Sequence, residues 1–424
     1  MHLETFWNEG ALWNGYLVNF TGQLFDALKD KKPKHYSLAE VEILEKKYTS
    51  AANESIRYPN IIVIMDESFV DFRVLGNEVK TQEPVMPFFD SMSDNTIRGY
   101  ALASVFGGGT ANSEYEFLTG NTMGFIADGA TVYQLYLHGK TYSMASSLAD
   151  IGYTCFATHP YNAANWERNR VWPLLGFDKV SFIDDYEQEN LCRGMVSDQE
   201  MFEYIAKQFE DNIHAEPLFL FGVTMQNHGG YTYNDDSESV PMLRLEGYTN
   251  NYPEAEQYLG LIKESDTALE WLIHYFENEE SPTVILFFGD HYPRMDMQFY
   301  NEIHGGPFAG LSEQQLLYTV PFIVWANFDI EEQFVPMTSL NYLSNYVYKA
   351  AGIEPPPYNQ FLEDTENIIC ALNTKGFYSK QYGTFISYDE AEGEEAEALN
   401  KYRILQYNSI FDTENRSEVF FGIN

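Results

Sequence analysis

The chain predicts an α/β fold built on a mostly parallel central sheet, and three observations predict it. Short continuous apolar runs recur at residues 61–65, 153–157, 218–225, 284–288 and 320–325. Amphipathic stretches separate them at about 141–151, 198–209 and 255–277. Several of the runs end in polar, chemically capable residues. Continuous apolar runs of roughly four to eight residues suit strands buried on both faces, and strand–helix alternation suits a parallel sheet.

The elements follow in order. Residues 1–57 are polar and helix-like and form a lead-in arm. A basic knot of Lys29, Lys31, Lys32 and Lys34 lies there beside Pro33 and His35. Ser37-Leu38-Ala39-Glu40 then reads as an N-cap with a capping-box Glu. The alternating pattern fills residues 58–352. Its longest helix signal, 255–277, puts Tyr258, Leu261, Ile262, Leu269, Leu272, Ile273 and Phe276 on one face. Residues 353–424 make a small C-terminal subdomain and tail. Glu390, Glu392, Glu394, Glu395 and Glu397 crowd a segment, 387–398, expected to be poorly ordered.

Composition bounds the function. With 424 residues, 45% hydrophobic and 16% aromatic, the chain has ample core for one large domain or two modest ones. Twenty-five basic against 63 acidic residues give a formal charge of -38, a surface that repels nucleic acid. An anionic substrate must therefore be held by a local cluster of metal, Arg and His. Three scattered cysteines form neither a disulfide framework nor a zinc motif. No run reaches the roughly 18 apolar residues of a membrane span, and no signal peptide opens the chain. The sequence reads either as complete and soluble or as an excised ectodomain.

The chemistry concentrates at strand ends. Run 61–65 leads into Asp66-Glu67-Ser68, and run 284–288 into Gly289-Asp290-His291. Run 218–225 leads into Gln226-Asn227-His228, and run 153–157 into Thr158-His159. Ligands of open α/β sheets gather at these ends. Between the first two runs, Gly107-Gly108-Gly109 delivers Thr110 to the start of an expected helix, 110–119. Glycine admits close backbone approach, and a helix N-terminus favours an anion. Thr110 as an ordinary N-cap is the competing account. Carboxylates, an imidazole and a hydroxyl suit Mn²⁺, Mg²⁺ or Zn²⁺. Asp66 and Glu67 point to opposite faces if the strand continues, so at most one reaches such an ion.

Met65-Asp66-Glu67-Ser68-Phe69, Gly-Gly-Gly-Thr110-Ala-Asn-Ser-Glu114 and Phe288-Gly289-Asp290-His291 resemble the motifs of the lipoteichoic acid synthases. Those are glycerol-phosphate transferases of the alkaline phosphatase and sulfatase superfamily. The resemblance runs from about Pro59 to Gly352 and implies a sulfatase-like central sheet flanked by helices. It further implies that Glu67, Thr110, Asp290 and His291 hold one divalent ion, Mn²⁺ first and Mg²⁺ or Zn²⁺ otherwise, with Thr110 as nucleophile. His159, Trp166, Arg168 and His228 would contact a phosphoglycerol head group. Independently of the resemblance, a leaving alkoxide calls for a general acid, and His228 is the candidate, imidazoles as a class titrating near neutrality. Phosphatidylglycerol would be the donor, and a glycerol-phosphate polymer or a glycolipid the acceptor. In that family the catalytic domain follows membrane helices, which this chain lacks. The resemblance thus implies an ectodomain on the extracellular face of a bacterial membrane.

Other readings separate on residues. A sulfatase activity needs Cys or Ser in a Cys/Ser-x-Pro-x-Arg context, which Thr110-Ala111-Asn112-Ser113-Glu114 lacks. Phosphoethanolamine transferases rely on several disulfides, which three cysteines cannot supply. A phosphodiesterase or phosphatase using the same site is the enzyme alternative. An inactive surface-binding module is the alternative of another class, and the intact Glu67, Thr110, Asp290 and His291 set speaks against it.

Overall fold

The computed structural model describes residues 32–48, 58–77, 79–212, 217–231 and 240–423. Lys29, Lys31 and the rest of residues 1–31 lie outside the described residues, as do 49–57. The strands are β1 (Asn60–Asp66), β2 (Thr96–Leu102), β3 (Thr154–Thr158), β4 (Lys179–Ser181), β5 (Leu191–Cys192), β6 (Met195–Val196), β7 (Leu218–Val223), β8 (Thr283–Gly289), β9 (Thr319–Ala326) and β10 (Gln333–Ser339), followed by β11 (Leu372–Asn373), β12 (Gly376–Ser379) and β13 (Thr384–Ile386), which form a small antiparallel sheet of their own. Eight of them form one sheet in the order β10-β2-β9-β8-β1-β7-β3-β4, while β5 and β6 pair as a separate hairpin. Within the large sheet β9 runs antiparallel to β2 and β8, and the other pairings are parallel. The expected mostly parallel sheet is present.

Burial follows composition. Every residue of β1, β7 and β8 is buried, as their unbroken apolar runs require. The Pro253–Glu277 helix buries each of the seven apolar residues expected on its inner face. Run 218–225 stops being strand at Val223, where Thr224 turns its hydroxyl inward to accept from the Glu67 amide at 2.9 Å. The sheet gains β2, β4 and β10, which no apolar run announces. β2 carries a half-buried Arg98 and a buried Gly99, and β10 is an edge strand with Pro336 and an exposed Phe334.

The first described segment, 32–48, packs against the C-terminal region. The Leu38–Glu45 helix begins at Ser37, whose Oγ accepts from the Glu40 amide. Val41 and Leu44 share a second apolar cluster with Phe361, Leu399, Tyr402 and Phe420. Tyr36 donates to Asp412 at 2.7 Å, and Lys47 pairs with Asp364.

One expectation is overturned here. The acidic segment 387–398 is ordered, and from Gly393 it enters a helix that continues to Ile410. Ala398, Leu399, Tyr402 and Leu405 give that helix a buried face. Glu395 is buried too, accepting from Ser379 Oγ at 2.7 Å and the Gln381 amide at 3.2 Å. Acidic residues read as solvated, but a carboxylate that meets two donors can be buried.

Candidate active site

Sheet order assembles the site. Strands β8, β1, β7 and β3 are successive neighbours. Parallel pairing brings their C-terminal ends to one edge, so Asp290-His291, Glu67, the Thr224–His228 turn and His159 arrive side by side. Gly289 is required by space: a Cβ there would stand 1.8 Å from the Phe69 carbonyl oxygen.

Thr110 enters from the side of this edge. Gly107, Gly108 and Gly109 hold φ of 70°, 142° and 96°, values that side chains disfavour. Gly109 is the N-cap, so Thr110 is the first residue of the Thr110–Thr119 helix and not its cap. Its hydroxyl instead donates to Glu67 Oε2 at 3.3 Å. All ten residues of this helix are buried. Ser113 donates to the Asp290 carbonyl at 2.8 Å and ties the helix to β8.

One ligand atom each from Glu67, Asp290 and His291 lies within 4.8 Å of the others. His291 Nε2 stands 3.1 Å from Asp290 Oδ2 and 3.7 Å from Glu67 Oε1. His291 Nδ1 faces the Tyr292 carbonyl at 3.0 Å, which takes its proton and leaves Nε2 as the lone-pair nitrogen. Asp290 Oδ2 and His291 Nε2 are both buried without a hydrogen-bond partner. Burial, reinforced by Glu67 and opposed by His291, pushes the Asp290 carboxyl up to about 7. Burial lowers His291, yet Asp290 and Glu67 outweigh it and the net shift is upward. A divalent cation would reverse this crowding, because its own charge favours the ionised carboxylates and the neutral imidazole. The donor set, oxygen-rich with one imidazole, fits such an ion.

Asp66 does not join the cluster. It is buried, its Oδ1 accepts from Asn227 Nδ2 at 2.9 Å, and burial raises its carboxyl. Of the pair, Glu67 alone belongs to the cluster with Asp290 and His291.

A cavity of about 110 Å³ opens over Thr110. His159, Trp166, Arg168 and His228 line it together with Glu67, Thr110 and His291, while Asp290 lies beside His291 behind the lining. Arg168, 1% exposed, gives Nε and Nη2 to Glu114 Oε1 at 2.9 and 2.6 Å. Its Nη1 is buried and has no partner among the described residues. His159 Nδ1 sits 2.9 Å from the Val223 carbonyl, and its buried Nε2 has no partner. Burial, then Arg168, lowers its pKa well below the usual imidazole range, so His159 is neutral with an accepting Nε2. Trp166 and Glu167 hold φ of 53° and 58°, two adjacent left-handed non-glycine residues. His228 is exposed at the mouth.

Sequence reasoning missed Glu114, Ser68 and Arg294. Glu114 also accepts from Trp172 Nε1 at 3.0 Å and Tyr133 at 3.1 Å. Arg294 and Ser68 both line the cavity. The neighbouring motif letters were the available signal: Glu114 stands one helical turn after Thr110, and Ser68 follows Glu67.

The sheet and this edge define an α/β protein of alkaline-phosphatase-like fold with a buried acid–histidine cluster able to hold a cation. The sulfatase family matches residues 59–353, and the chain belongs to that family. A Rhizobium meliloti protein named for cyclic beta-1,2-glucan modification is 27% identical over 96% of this chain and 63% of its own length. The chain thus spans less than two thirds of that relative. The Streptococcus pyogenes phosphoglycerol transferase GacH, solved with sn-glycerol-1-phosphate, superposes with a TM-score of 0.72 at 20% identity, covering 93% of this chain and 99% of GacH. The Listeria monocytogenes lipoteichoic acid synthase LtaP gives 0.62 at 17% identity, covering 89% and 98%. At these identities the likeness is one of fold. No helix of the described residues is long and apolar enough to cross a membrane.

Proposed function

We propose that the chain is a metal-dependent phosphoglycerol transferase that moves glycerol phosphate from phosphatidylglycerol through a covalent phosphothreonine at Thr110. The observation that carries this reading is the Thr110 hydroxyl, placed outside the capping role and against Glu67 in the floor of a cavity that also holds Arg168. Glu67, Thr110, Asp290 and His291 hold one divalent ion, Mn²⁺ or Mg²⁺ in preference to a thiolate-seeking metal. That ion supplies activation of the hydroxyl and neutralisation of phosphoryl charge.

The chain's own groups do the rest. Arg168 Nη1 donates to a phosphoryl oxygen with a charge-assisted bond. Neutral His159 accepts from a glycerol hydroxyl through Nε2. Thr110 passes its proton to Glu67 Oε2, the atom its hydroxyl donates to, as Oγ attacks phosphorus in line; the phosphorus–oxygen bond to diacylglycerol breaks, and His228 gives the leaving oxygen a proton. In the second half, His228 takes the proton of an acceptor hydroxyl as that oxygen attacks phosphorus, and Thr110 leaves with the proton returned from Glu67. A membrane-proximal, extracellular setting fits the lipid donor.

A glycerol-phosphate polymer end is the first acceptor. A glycan hydroxyl is the second, favoured by the glucan-modifying name of the relative that aligns along nearly the whole chain. Incubation with phosphatidylglycerol vesicles and Mn²⁺, followed by quenching and mass spectrometry, tests the reading. A glycerol-phosphate adduct on the Thr110 peptide is expected, and diacylglycerol release without any adduct would favour a phosphodiesterase instead.

A further inference from the structure

Ser68 touches two of the three clustered side chains, Glu67 and Asp290, and unlike Thr110 it does so through its backbone as well as its hydroxyl. Its amide donates to Asp290 Oδ1 at 2.7 Å, and its hydroxyl donates to Glu67 Oε1 at 3.0 Å. One oxygen of each carboxylate is thereby held by Ser68: Asp290 Oδ1, and Glu67 Oε1, which stands 3.7 Å from His291 Nε2. Asp290 keeps Oδ2, buried without a partner. Glu67 keeps Oε2, the atom that meets Thr110.

The residue is held in place for this. Ser68 has φ of 56°, in the left-handed region that glycine enters without cost. Its carbonyl accepts from Tyr258 at 2.7 Å, a fully buried tyrosine of the Pro253–Glu277 helix. Such a conformation persists where its surroundings over-determine it.

Denticity carries a choice of ion. Calcium takes roughly six to eight oxygens and accepts carboxylates two atoms at a time, whereas magnesium and ions of similar size hold to octahedral, one-oxygen-per-carboxylate sites. We infer that Ser68 is a positioning residue that sets metal selectivity, presenting Glu67 and Asp290 each through a single oxygen and so favouring Mn²⁺ or Mg²⁺ over Ca²⁺. The inference rests on the metal site proposed above. Without the hydroxyl, Glu67 can turn both oxygens to the ion, and the penalty on Ca²⁺ falls.

Calorimetric titration of the metal-stripped protein with MnCl₂ and with CaCl₂ tests it, using wild type, Ser68→Gly, Ser68→Ala and Asp290→Ala. Both Ser68 variants should weaken Mn²⁺ binding, by about 10–100-fold as for other residues behind a metal ligand. Both should also shift the Ca²⁺-to-Mn²⁺ affinity ratio at least several-fold towards Ca²⁺. Ser68→Gly relaxes the backbone and keeps the amide bond, so it isolates the hydroxyl even where Ser68→Ala folds poorly. A ratio within twofold of wild type in the variants overturns the role of Ser68 while leaving the metal site standing. Equal Mn²⁺ binding by wild type and Asp290→Ala overturns both.

Discussion

Two buried charged corners face each other across the cavity, and they are balanced in opposite ways. At one, Glu67, Asp290 and His291 leave two unpartnered acceptor atoms and a carboxyl raised to about 7. At the other, Arg168 and Glu114 neutralise each other with two short bonds, and Trp172 and Tyr133 fill the second carboxylate oxygen. The first corner is incomplete without a cation. The second is complete in itself and has a single donor, Arg168 Nη1, left over. The difference teaches how a chain of formal charge -38 handles an anion. One positive charge must come from solution as a metal, and the other is built in and fixed.

Thr110 joins the corners, so its loss should have the largest effect. Thr110→Ala is expected to cut transfer from phosphatidylglycerol by at least about 10³-fold, the scale of losing a nucleophile, while the circular dichroism spectrum is unchanged. Turnover near the wild-type rate would remove covalent catalysis.

The next test sets the corners against each other. Glu114→Ala strands a buried guanidinium and should destabilise the protein by about 3–5 kcal/mol in denaturant melts. Asp290→Asn removes one of several crowded acids and should leave the metal-free protein at least as stable as wild type while abolishing Mn²⁺ binding. Similar destabilisation in both variants would erase the contrast.

His228→Ala should lower kcat by about 10²-fold on phosphatidylglycerol, at the modest end of general acid–base effects. The loss should shrink on a p-nitrophenyl phosphodiester, whose leaving group needs no proton. Equal losses on both substrates would assign His228 to binding alone.

The smallest effect is on pH dependence. Asp290 is raised in the folded state relative to an ordinary carboxyl near 4, so between about pH 4 and 7 the folded protein holds more protons than the unfolded chain. Its contribution to stability therefore falls as pH rises through that window, and the upward shift of His291 acts in the same direction at higher pH. Thermal melts of metal-stripped protein should decline from pH 5 to 8, and saturating Mn²⁺ should flatten or reverse the decline. An unchanged slope with metal would separate the cation from this cluster.

The two corners differ in legibility as well. The acidic corner could be read from the sequence because each member sits directly after an apolar run, and because contiguous motifs resemble a known family. Arg168 could be singled out, but Glu114 could not be matched to it, since their contact spans 54 positions and a mid-helix glutamate carries no local mark. Strands β2 and β10 escaped for a related reason. An unbroken apolar run announces burial on both faces, whereas Arg98, Gly99 and Pro336 break the run without breaking the strand. Acidity misled at 393–410, where spacing and not composition decided the helix.

Thr110 and Glu114 lie on the same helix, four residues and so about 6 Å of axial rise apart. In the proposed mechanism, the attacking oxygen and the anchor of the guanidinium that would bind phosphate are thus marks on one rigid ruler. Breathing of the cavity mouth, where His228 and Gly229 are exposed, can admit or release a bulky lipid without altering the spacing between attacker and clamp. Substitutions at Gly229 should change which molecules get in well before they change how the reaction runs, whereas His228, at the same mouth, belongs to the proposed proton transfer.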